Sequence, residues 1–364
     1  MDCEAIIVGG SFAGLAVASQ LRGRRVLLLD RQPLGEGQTS ACAAPLVTLE
    51  RMGAVDAILK VHEHLIIHTP DGVAVWPSGA PFATFDYRSF CAVVASRLDA
   101  EVKIAEAVGV RGQAVLTRDG VFTAPLIVDA TGWRASLAAH GRRGYRRPWA
   151  MGVGIETEVE VDFPSGLHFF FDRSIVPHGY AWAFPAGRRT RFGVAARGMG
   201  TKLKEPLRDF LRRVGVQSGP THGGVLASGL RAPVVNGIFV VGDAAGHCLP
   251  LTGEGIRTAV RAGHFLGVRL REVLEGTLPR REAEAQYRRF VTAQRRHYFY
   301  LAGFQIALLH LMPALLGPAS RFMTRRWPRR IFFDRYMRIF HTEDGVKPPD
   351  GWRVSPAQTT ALLP

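Results

Sequence analysis

A glycine-rich turn near the N-terminus constrains the fold more than any other feature of the sequence. The turn, GGSFAG at residues 9–14, closes a short apolar run over residues 4–10. Small, helix-favouring residues occupy 13–22, and a second apolar run over 25–30 ends in an acid. Short apolar runs of this kind are typical of buried parallel strands. The order strand, glycine turn, helix, strand therefore predicts a unit that binds a dinucleotide.

Each part of this unit has a predicted role. Gly9 permits the tight turn, Gly14 lets the helix approach the sheet, and free N–H groups at the start of the helix bind the pyrophosphate. Asp30, at the end of the second strand, accepts hydrogen bonds from the adenosine ribose. Ser11 replaces the middle glycine of the pattern, but its small side chain still allows close approach. A glycine turn without a nucleotide is the alternative. The predicted cofactor contacts here are Gly9, Ser11, Phe12, Ala13, Gly14, Asp30 and Arg31.

Two later segments decide between NAD and FAD. Residues 126–136 form another apolar strand that ends in an acid and a Thr-Gly turn. Residues 237–241 form a strand that ends at Gly242, and a glycine-punctuated loop leads into a helix from about Gly255. This places Asp243 where a carboxylate can hold ribityl hydroxyl groups, and it aims a helix N-terminus at the electron-rich end of an isoalloxazine. Together the segments predict FAD.

With the pattern Gly-Asp-Ala-Ala-Gly … Pro … Gly-Glu-Gly-Ile of residues 242–256, the chain resembles a family of FAD-dependent oxidoreductases. That family includes para-hydroxybenzoate hydroxylase-type monooxygenases, flavin halogenases and geranylgeranyl reductases, and the resemblance covers residues 1–275. It implies that Arg88 reaches the FAD phosphates; a solvated helix arginine is the alternative. The later segments and the resemblance add these cofactor contacts: Arg88, Asp129, Gly132, Gly242, Asp243, Gly253, Gly255 and Ile256.

The resemblance implies an α/β fold with a Rossmann-like FAD-binding domain built on a parallel sheet, an antiparallel β-sheet substrate domain and a helical C-terminal segment. The expected boundaries of these parts are 1–145 and 226–278 for the FAD-binding domain, with 60–85 contributing to the substrate domain, 146–225 for the substrate domain and 279–364 for the helical basic region. A second strand–GxGxxG–helix unit is absent from the sequence. Electrons therefore come from transient NAD(P)H docking or from a ferredoxin-like carrier.

The most informative part of the expected substrate domain is the stretch PHGYAWAFP at residues 177–185. Alternation puts Tyr180, Trp182 and Phe184 on one face of a strand, where they pack a core or line a substrate site. The stretch matches the PxxYxWxFP motif of geranylgeranyl reductases, whereas the WxWxIP motif of flavin halogenases differs at Tyr180 and Phe184. An aromatic-walled tunnel suits a long apolar substrate, because a hydrocarbon must be held by shape and burial.

A cysteine lies in the loop 35–45 that follows the second strand. Geranylgeranyl reductases present a cysteine beside the flavin from this loop, usually followed by glycine; Cys42 fits the position, and Ala43 replaces the glycine. A thiol there can donate a proton or shield the flavin adduct position, and a space-filling cysteine is the alternative. We interpret Cys248 as a packing residue and His247 as a structural histidine, with a proton relay as the alternative for His247.

The net charge of +15 is concentrated towards the C-terminus. Residues 280–338 hold thirteen arginines and no lysine against three acids, a local net charge of +10. Within them, residues 297–320 contain no charged side chain. A buried helical cap, an in-plane element on an anionic membrane surface and a membrane span all remain open. No nucleic-acid-binding module accompanies the charge. The tail over 341–364 is expected to be loosely packed.

The four cysteines are scattered without a CxxC pair or metal-ligand spacing, which favours a reducing compartment and argues against a disulfide framework or a metal site. No signal-peptide pattern precedes the first strand, so a cytoplasmic location is expected. If the basic region binds lipid, the protein is peripheral at the inner face of the membrane.

These features predict an FAD-dependent reductase that resembles geranylgeranyl reductases and saturates C=C bonds of an isoprenoid or lipid substrate. Reduced FAD would deliver hydride to one alkene carbon, and Cys42 or an ordered water would protonate the other. The rival is a flavin-dependent monooxygenase or halogenase on the same scaffold. A membrane-bound flavin carrier is the non-enzymatic alternative.

Overall fold

The computed structural model describes residues 3–307, 309, 315–325 and 327–328. Its strands are β1 Ala5–Val8, β2 Val26–Asp30, β3 Ala43–Pro45, β4 Ile58–Thr69, β5 Gly72–Phe85, β6 Glu101–Ile104, β7 Ala107–Arg111, β8 Ala114–Thr117, β9 Val121–Thr123, β10 Leu126–Asp129, β11 Met151–Val159, β12 Leu167–Phe170, β13 Gly179–Ala186, β14 Arg189–Arg197, β15 Thr221–Ala227, β16 Val234–Val235 and β17 Ile238–Val240. Its α-helices are α1 Phe12–Ala18, α2 Leu46–Arg51, α3 Tyr87–Ala95, α4 Lys204–Arg213, α5 Ile256–Leu274, α6 Arg280–Ala293, α7 Arg295–Ile306 and α8 Leu316–Phe322. Short 3-10 turns occupy Val55–Ala57, Gly132–Arg134, Pro148–Ala150 and Gly242–Ala245.

The first sheet is the parallel one that the glycine turn predicts. Its order is β16-β17-β10-β1-β2-β6, and all pairings are parallel except that of β16 with β17. Every residue of β1 is buried, as expected for a strand covered on both faces. Parallel strands end at the same edge, so Gly9, Asp30, Asp129 and Gly242 come together there. The predicted α/β fold class is confirmed.

Helix α1 is shorter than the sequence predicts and is held against α5. It ends at Ala18 because i→i−3 hydrogen bonds to Val17 and Ala18 tighten its last turn. A methyl group added at Gly263 of α5 would lie 2.7 Å from the carbonyl oxygen of Ala13 and 2.7 Å from Cβ of Ala16. The missing side chain therefore lets α5 touch the backbone of α1 beside the glycine turn.

The second sheet has the order β15-β11-β14-β13-β12-β4-β5-β3. Its pairings are antiparallel except for β12 with β4, which brings the hairpin over 58–85 beside the strands of 151–197. One face packs on α4 through Phe192 and Phe210, and the other carries Tyr180 and Trp182. The division of the chain at 145 and 225 stays a prediction. Sequence analysis missed a separate three-stranded sheet, β7-β8-β9.

Part of the basic C-terminal region caps the parallel sheet. The hydroxyl of Tyr287 donates to the carbonyl of Val240, and the guanidinium of Arg280 donates to the carbonyls of Pro125 and Gly237. The charge-free stretch 297–320 falls partly in α7 and α8, while 308, 310–314 and the tail 341–364 lie outside the described residues. Among the helices that the structure describes, each is too short or too polar to traverse a bilayer.

We predict that Gly263→Ala destabilises the protein by about 1–3 kcal/mol, because the added methyl group must displace the backbone of α1. Gly303→Ala is the matched control, since Gly303 is also helical but a Cβ there meets nothing within 4 Å. The control is expected to keep or slightly raise stability, because alanine has the higher helix propensity. Urea unfolding measures both free energies, and equal losses would contradict the close-packing argument.

Candidate active site

A single cavity of about 750 Å³ runs from the carboxyl edge of the parallel sheet to the face of the second sheet. The glycine turn and Asp30 line one end, and Tyr180 and Trp182 line the other. Cys42 lies on the wall of the same cavity. The predicted nucleotide cradle, cysteine and aromatic strand are thus brought to one space, although they are far apart in sequence.

The glycine turn is tight and packs closely against the residues that follow β10. Gly9 has φ +108°, and a Cβ there would lie 2.2 Å from the carbonyl oxygen of Ala130. The amide of Gly10 donates to Oδ2 of Asp30 at 2.6 Å, which ties the turn to the end of β2. Ser11 receives a hydrogen bond from the hydroxyl of Tyr87 at 3.0 Å, so its side chain is anchored to α3. Tyr87, which also lines the cavity, was missed by sequence reasoning.

Most of the predicted cofactor contacts line the cavity. They are Gly9, Ser11, Phe12, Ala13, Asp30, Arg31, Gly132, Gly242, Asp243, Gly253, Gly255 and Ile256. Gly14 lies behind the turn, where a Cβ would approach the carbonyl oxygen of Gly9 to 1.8 Å, and it serves the close packing expected of it.

Asp129 differs from the prediction that it binds the cofactor. Its side chain is fully buried, and its carboxylate accepts hydrogen bonds from the amides of Thr131, Leu137 and Ala138 and from the hydroxyl of Thr131, at 2.6–3.0 Å. Burial raises the pKa of Asp129, and these hydrogen bonds oppose that rise. Asp129 therefore shapes the turn that presents Gly132 and does not face the cavity.

Arg88 lies at the rim of the cavity, and its contact with the FAD phosphates stays a prediction. Its side chain is 70% exposed and its Nη2 lies 2.7 Å from Oε1 of Glu36. Glu36 lines the cavity, but Arg88 does not. The arginine therefore sits at the rim, held by a carboxylate, rather than on the cavity wall.

The loop before α5 contains a carboxylate, Asp243, and a histidine, His247, which have different roles. Burial raises the pKa of Asp243 to about 6, against the effects of a hydrogen bond from the backbone of Ala227 and of the nearby Arg231 guanidinium. Burial has the opposite effect on the imidazole of His247 and lowers its pKa to about 3. Nδ1 of His247 accepts a hydrogen bond from the amide of Gly242 at 3.2 Å. His247 is thus a neutral residue that shapes the loop, whereas Asp243 faces the cavity.

The aromatic strand both packs and lines the cavity. Tyr180, Trp182 and Phe184 alternate on β13 and are each less than 10% exposed. The rings of Phe184 and Phe169 meet edge to face with centroids 5.2 Å apart. The hydroxyl of Tyr180 donates to the carbonyl of Thr252 at 2.9 Å, which ties the strand to the loop before α5. The core and substrate-site interpretations are therefore compatible.

Cys42 is a buried residue in a strained backbone conformation. Its φ is +49°, which is uncommon for a residue other than glycine. The residue after it, Ala43, begins β3 and is extended, so the loop does not need a glycine there. Burial raises the pKa of the Cys42 thiol, and the Arg191 guanidinium offsets part of the rise. The thiol is accordingly neutral and retains its proton at ordinary pH.

Arg191 is the residue that fixes this loop, and sequence reasoning missed it. Its guanidinium is 2% exposed, and Nε lies 2.7 Å from Oε2 of Glu158. Nη1 donates to the carbonyls of Ala41 and Phe85, both at 3.0 Å. The available signal was an arginine directly before the apolar run of residues 192–196 in β14, on the strand face that carries Gly193.

Comparison with known proteins agrees with this geometry. No family model matches the sequence. A digeranylgeranylglycerophospholipid reductase of Methanocaldococcus jannaschii is 27% identical over 333 aligned residues, covering 80% of this chain and 81% of that protein. A geranylgeranyl bacteriochlorophyll reductase-like structure from Thermoplasma acidophilum superposes with a TM-score of 0.80 at 17% identity, covering 99% of both chains. A flavin-dependent brominase gives a TM-score of 0.66 at 14% identity, covering 99% of this chain and all of the other.

The fold is the one that the flavin-dependent reductases and halogenases among these structures share. The chain is similar in sequence to a digeranylgeranylglycerophospholipid reductase along most of its length, and the resemblance to geranylgeranyl reductases that was inferred from its motifs is confirmed.

We predict that Arg191→Met lowers the free energy of unfolding by about 3 kcal/mol, because it leaves Glu158 and two backbone carbonyls without their buried partner. Arg189→Met is the matched control: Arg189 contacts the same Glu158 at 3.1 Å from the same strand but is 60% exposed. An exposed pair of this kind contributes less than about 1 kcal/mol. Similar losses in the two variants, measured by urea unfolding, would show that burial of Arg191 is unimportant.

Proposed function

We propose that the protein binds FAD in the cradle end of the cavity and saturates carbon–carbon double bonds in the prenyl chain of a lipid. The observation that carries this proposal is the single cavity that joins the cradle, Cys42 and the aromatic strand. The curated relative is named for the same type of substrate, which supports the proposal.

The residues at the cradle end fit FAD. The glycine turn leaves no room for a side chain at Gly10, where a Cβ would lie 2.1 Å from Leu34 and 3.4 Å from Oδ2 of Asp30. Asp30 and Asp243 both line the cavity, which supports the assignment of Asp30 to the adenosine ribose and of Asp243 to the ribityl hydroxyl groups. The N-terminus of α5, beginning at Ile256, borders the same cavity and favours negative charge on the flavin. The chemistry that a bound, reduced FAD would supply here is a hydride for one carbon of the alkene.

The other end of the cavity suits a hydrocarbon. Its wall is formed largely by apolar and aromatic side chains, including Leu65, Leu167, Phe169, Phe171 and Leu226, besides the three aromatic residues of β13. Burial of each methylene group contributes about 0.8 kcal/mol, so a prenyl chain can bind without polar contacts. Cys42 stands on this wall with a neutral thiol, which can donate the proton that the second alkene carbon requires.

We expect the reduced holoenzyme to add two hydrogen atoms per double bond to a geranylgeranyl-containing glycerophospholipid under strictly anaerobic conditions, detected by mass spectrometry. Cys42→Ala should slow this single-turnover reaction by about 100-fold or more, since a positioned acid contributes that much. Cys91→Ala is the control, because Cys91 is equally buried but does not line the cavity. Product formation that requires oxygen would instead identify a monooxygenase or halogenase.

We further propose that the C-terminal helices rest on an anionic membrane surface. Phe299, Tyr300, Phe322 and Trp327 are 50–76% exposed, and Arg295, Arg296, Arg321 and Arg325 lie among them in sequence. Phe299 and Arg295 line a second cavity of about 410 Å³, which shares Tyr180 with the main one. Exposed aromatic residues with arginines suit acyl chains and anionic headgroups, so a lipid has a short route to the active site.

The protein should sediment with vesicles of mixed anionic and zwitterionic phospholipid and remain in solution with purely zwitterionic ones. The double variant Phe299→Ser/Trp327→Ser should weaken binding at least about 10-fold, because two aromatic side chains no longer enter the bilayer interface. Val121→Ser, which alters an apolar side chain that is 60% exposed on β9, is the control and should bind like the native protein. Equal binding by all three would refute the membrane surface.

A further inference from the structure

The cavity wall holds a buried carboxylate that the hydride transfer does not use. Glu156 of β11 is 2% exposed and lines the cavity. Its Oε2 accepts a hydrogen bond from Nε1 of Trp182 at 3.1 Å, and its Oε1 lies 2.7 Å from Nε2 of His222. An acidic side chain is rarely buried so completely unless hydrogen bonds or a nearby opposite charge compensate it. Both partners here lie on the same face of the second sheet.

Sheet register explains how these side chains meet. Glu156 pairs with His222 of β15 on one side and with Gly193 of β14 on the other, and Gly193 pairs with Trp182 of β13. The four residues form one row across four strands. A Cβ on Gly193 would lie 2.1 Å from Cζ2 of Trp182, so the absence of a side chain there lets the indole cross to Glu156.

The row leads from solvent to the active site. The side chain of His222 is 30% exposed, whereas that of Glu156 is 3% exposed and faces the cavity. Glu156 and Cys42 line the same cavity. The charge of Glu156 also raises the pKa of the Cys42 thiol, after the larger effects of burial and of Arg191. Arg191 also interacts electrostatically with Glu156, which compensates its buried charge.

Saturation of an alkene consumes a hydride and a proton. The alkene gains a hydride from the reduced flavin, which is thereby oxidised by two electrons, and gains a proton from an acid, which we assign to the Cys42 thiol. The thiolate left behind must regain a proton before the next turnover. Cys42 is fully buried, so bulk water cannot supply that proton directly.

We propose that His222 and Glu156 form a proton relay from solvent to Cys42. A proton from solvent binds Nδ1 of His222, the Nε2–H passes its proton to Oε1 of Glu156, and the resulting carboxylic acid passes one into the cavity, where the Cys42 thiolate accepts it. Charge is conserved at each transfer. The imidazole is left protonated at Nδ1, and exchange of that proton with solvent, which the partial exposure of His222 permits, restores the Nε2–H tautomer for the next cycle. This inference rests on the proposed function, because it supplies the proton that the reductase consumes.

Glu156→Gln separates the relay from a merely structural role. Glutamine keeps an oxygen that accepts from Trp182 and a polar contact with His222, but it cannot carry a proton. If Glu156 only holds the indole, the variant should resemble the native protein. The matched histidine control is His64→Ala, since His64 is exposed on β4 and lies outside the cavity.

The test uses anaerobic turnover by the holoenzyme with a geranylgeranyl-containing phospholipid and chemical reductant. Repeated turnover by Glu156→Gln and His222→Ala should be about 10- to 100-fold slower, while the first turnover, the flavin absorbance and the KM stay near native values. Added imidazole should partly restore His222→Ala, but not Glu156→Gln. His64→Ala should match the native enzyme.

A readout independent of turnover is NMR of the holoenzyme with ¹⁵N-labelled histidine. The Nε2–H of His222 should give a downfield resonance protected from solvent exchange, absent in His222→Ala and shifted upfield in Glu156→Gln, because an amide is a weaker acceptor than a carboxylate.

Native rates of repeated turnover in Glu156→Gln would overturn the relay. So would a rise in KM without imidazole rescue, which indicates a structural role. If the native enzyme never reduces the lipid, the proposed function itself is refuted, and the relay that rests on it is refuted as well.

Discussion

The buried guanidinium of Arg191 is the interaction on which the active site depends. From β14 of the second sheet it reaches the carbonyl of Ala41, in the loop that leaves the parallel sheet, and that of Phe85, at the end of β5. A charge placed there requires partners, because burying it alone would be very unfavourable. Glu158 and the two carbonyls provide them. The same positive charge permits a carboxylate, Glu156, on the cavity wall and moderates the pKa of Cys42. One side chain thereby positions the loop and sets the electrostatics around it.

Features that depend on neighbouring residues could be predicted from the sequence. The glycine turn, its flanking strands and the acid at Asp30 form a local unit whose geometry follows from steric limits at Gly9 and from strand length. The alternation of Tyr180, Trp182 and Phe184 fixes their common face wherever the strand lies. Family resemblance then placed these elements around one cavity, and the confirmed fold shows that the inference was sound at that level.

Features that depend on register between distant strands could not be predicted. Glu156 and His222 are brought together by the pairing of β11 with β15, and Trp182 reaches them only because Gly193 lies between. Sequence reasoning also predicted that Asp129, at the end of an apolar strand, contacts the cofactor. Its position one strand away from the cradle, under the turn at Thr131, leads its carboxylate to bind backbone amides instead. The position of the Arg88 side chain similarly depends on its ion pair with Glu36, which the spacing of residues in the sequence does not reveal.

The arrangement reconciles two requirements that conflict in an alkene reductase. Hydride transfer to an apolar chain favours an apolar cavity wall, and the aromatic residues of β13 provide one. Protonation of the same chain requires a supply from water. A row of polar side chains can meet both needs when only its outer member is exposed, because protons cross hydrogen bonds without water entering the cavity. His222 at the sheet edge and Glu156 on the wall have this relationship. A protein that only carried a bound flavin would not need such a row. Its presence therefore favours an enzyme that protonates a substrate over a non-enzymatic flavin carrier.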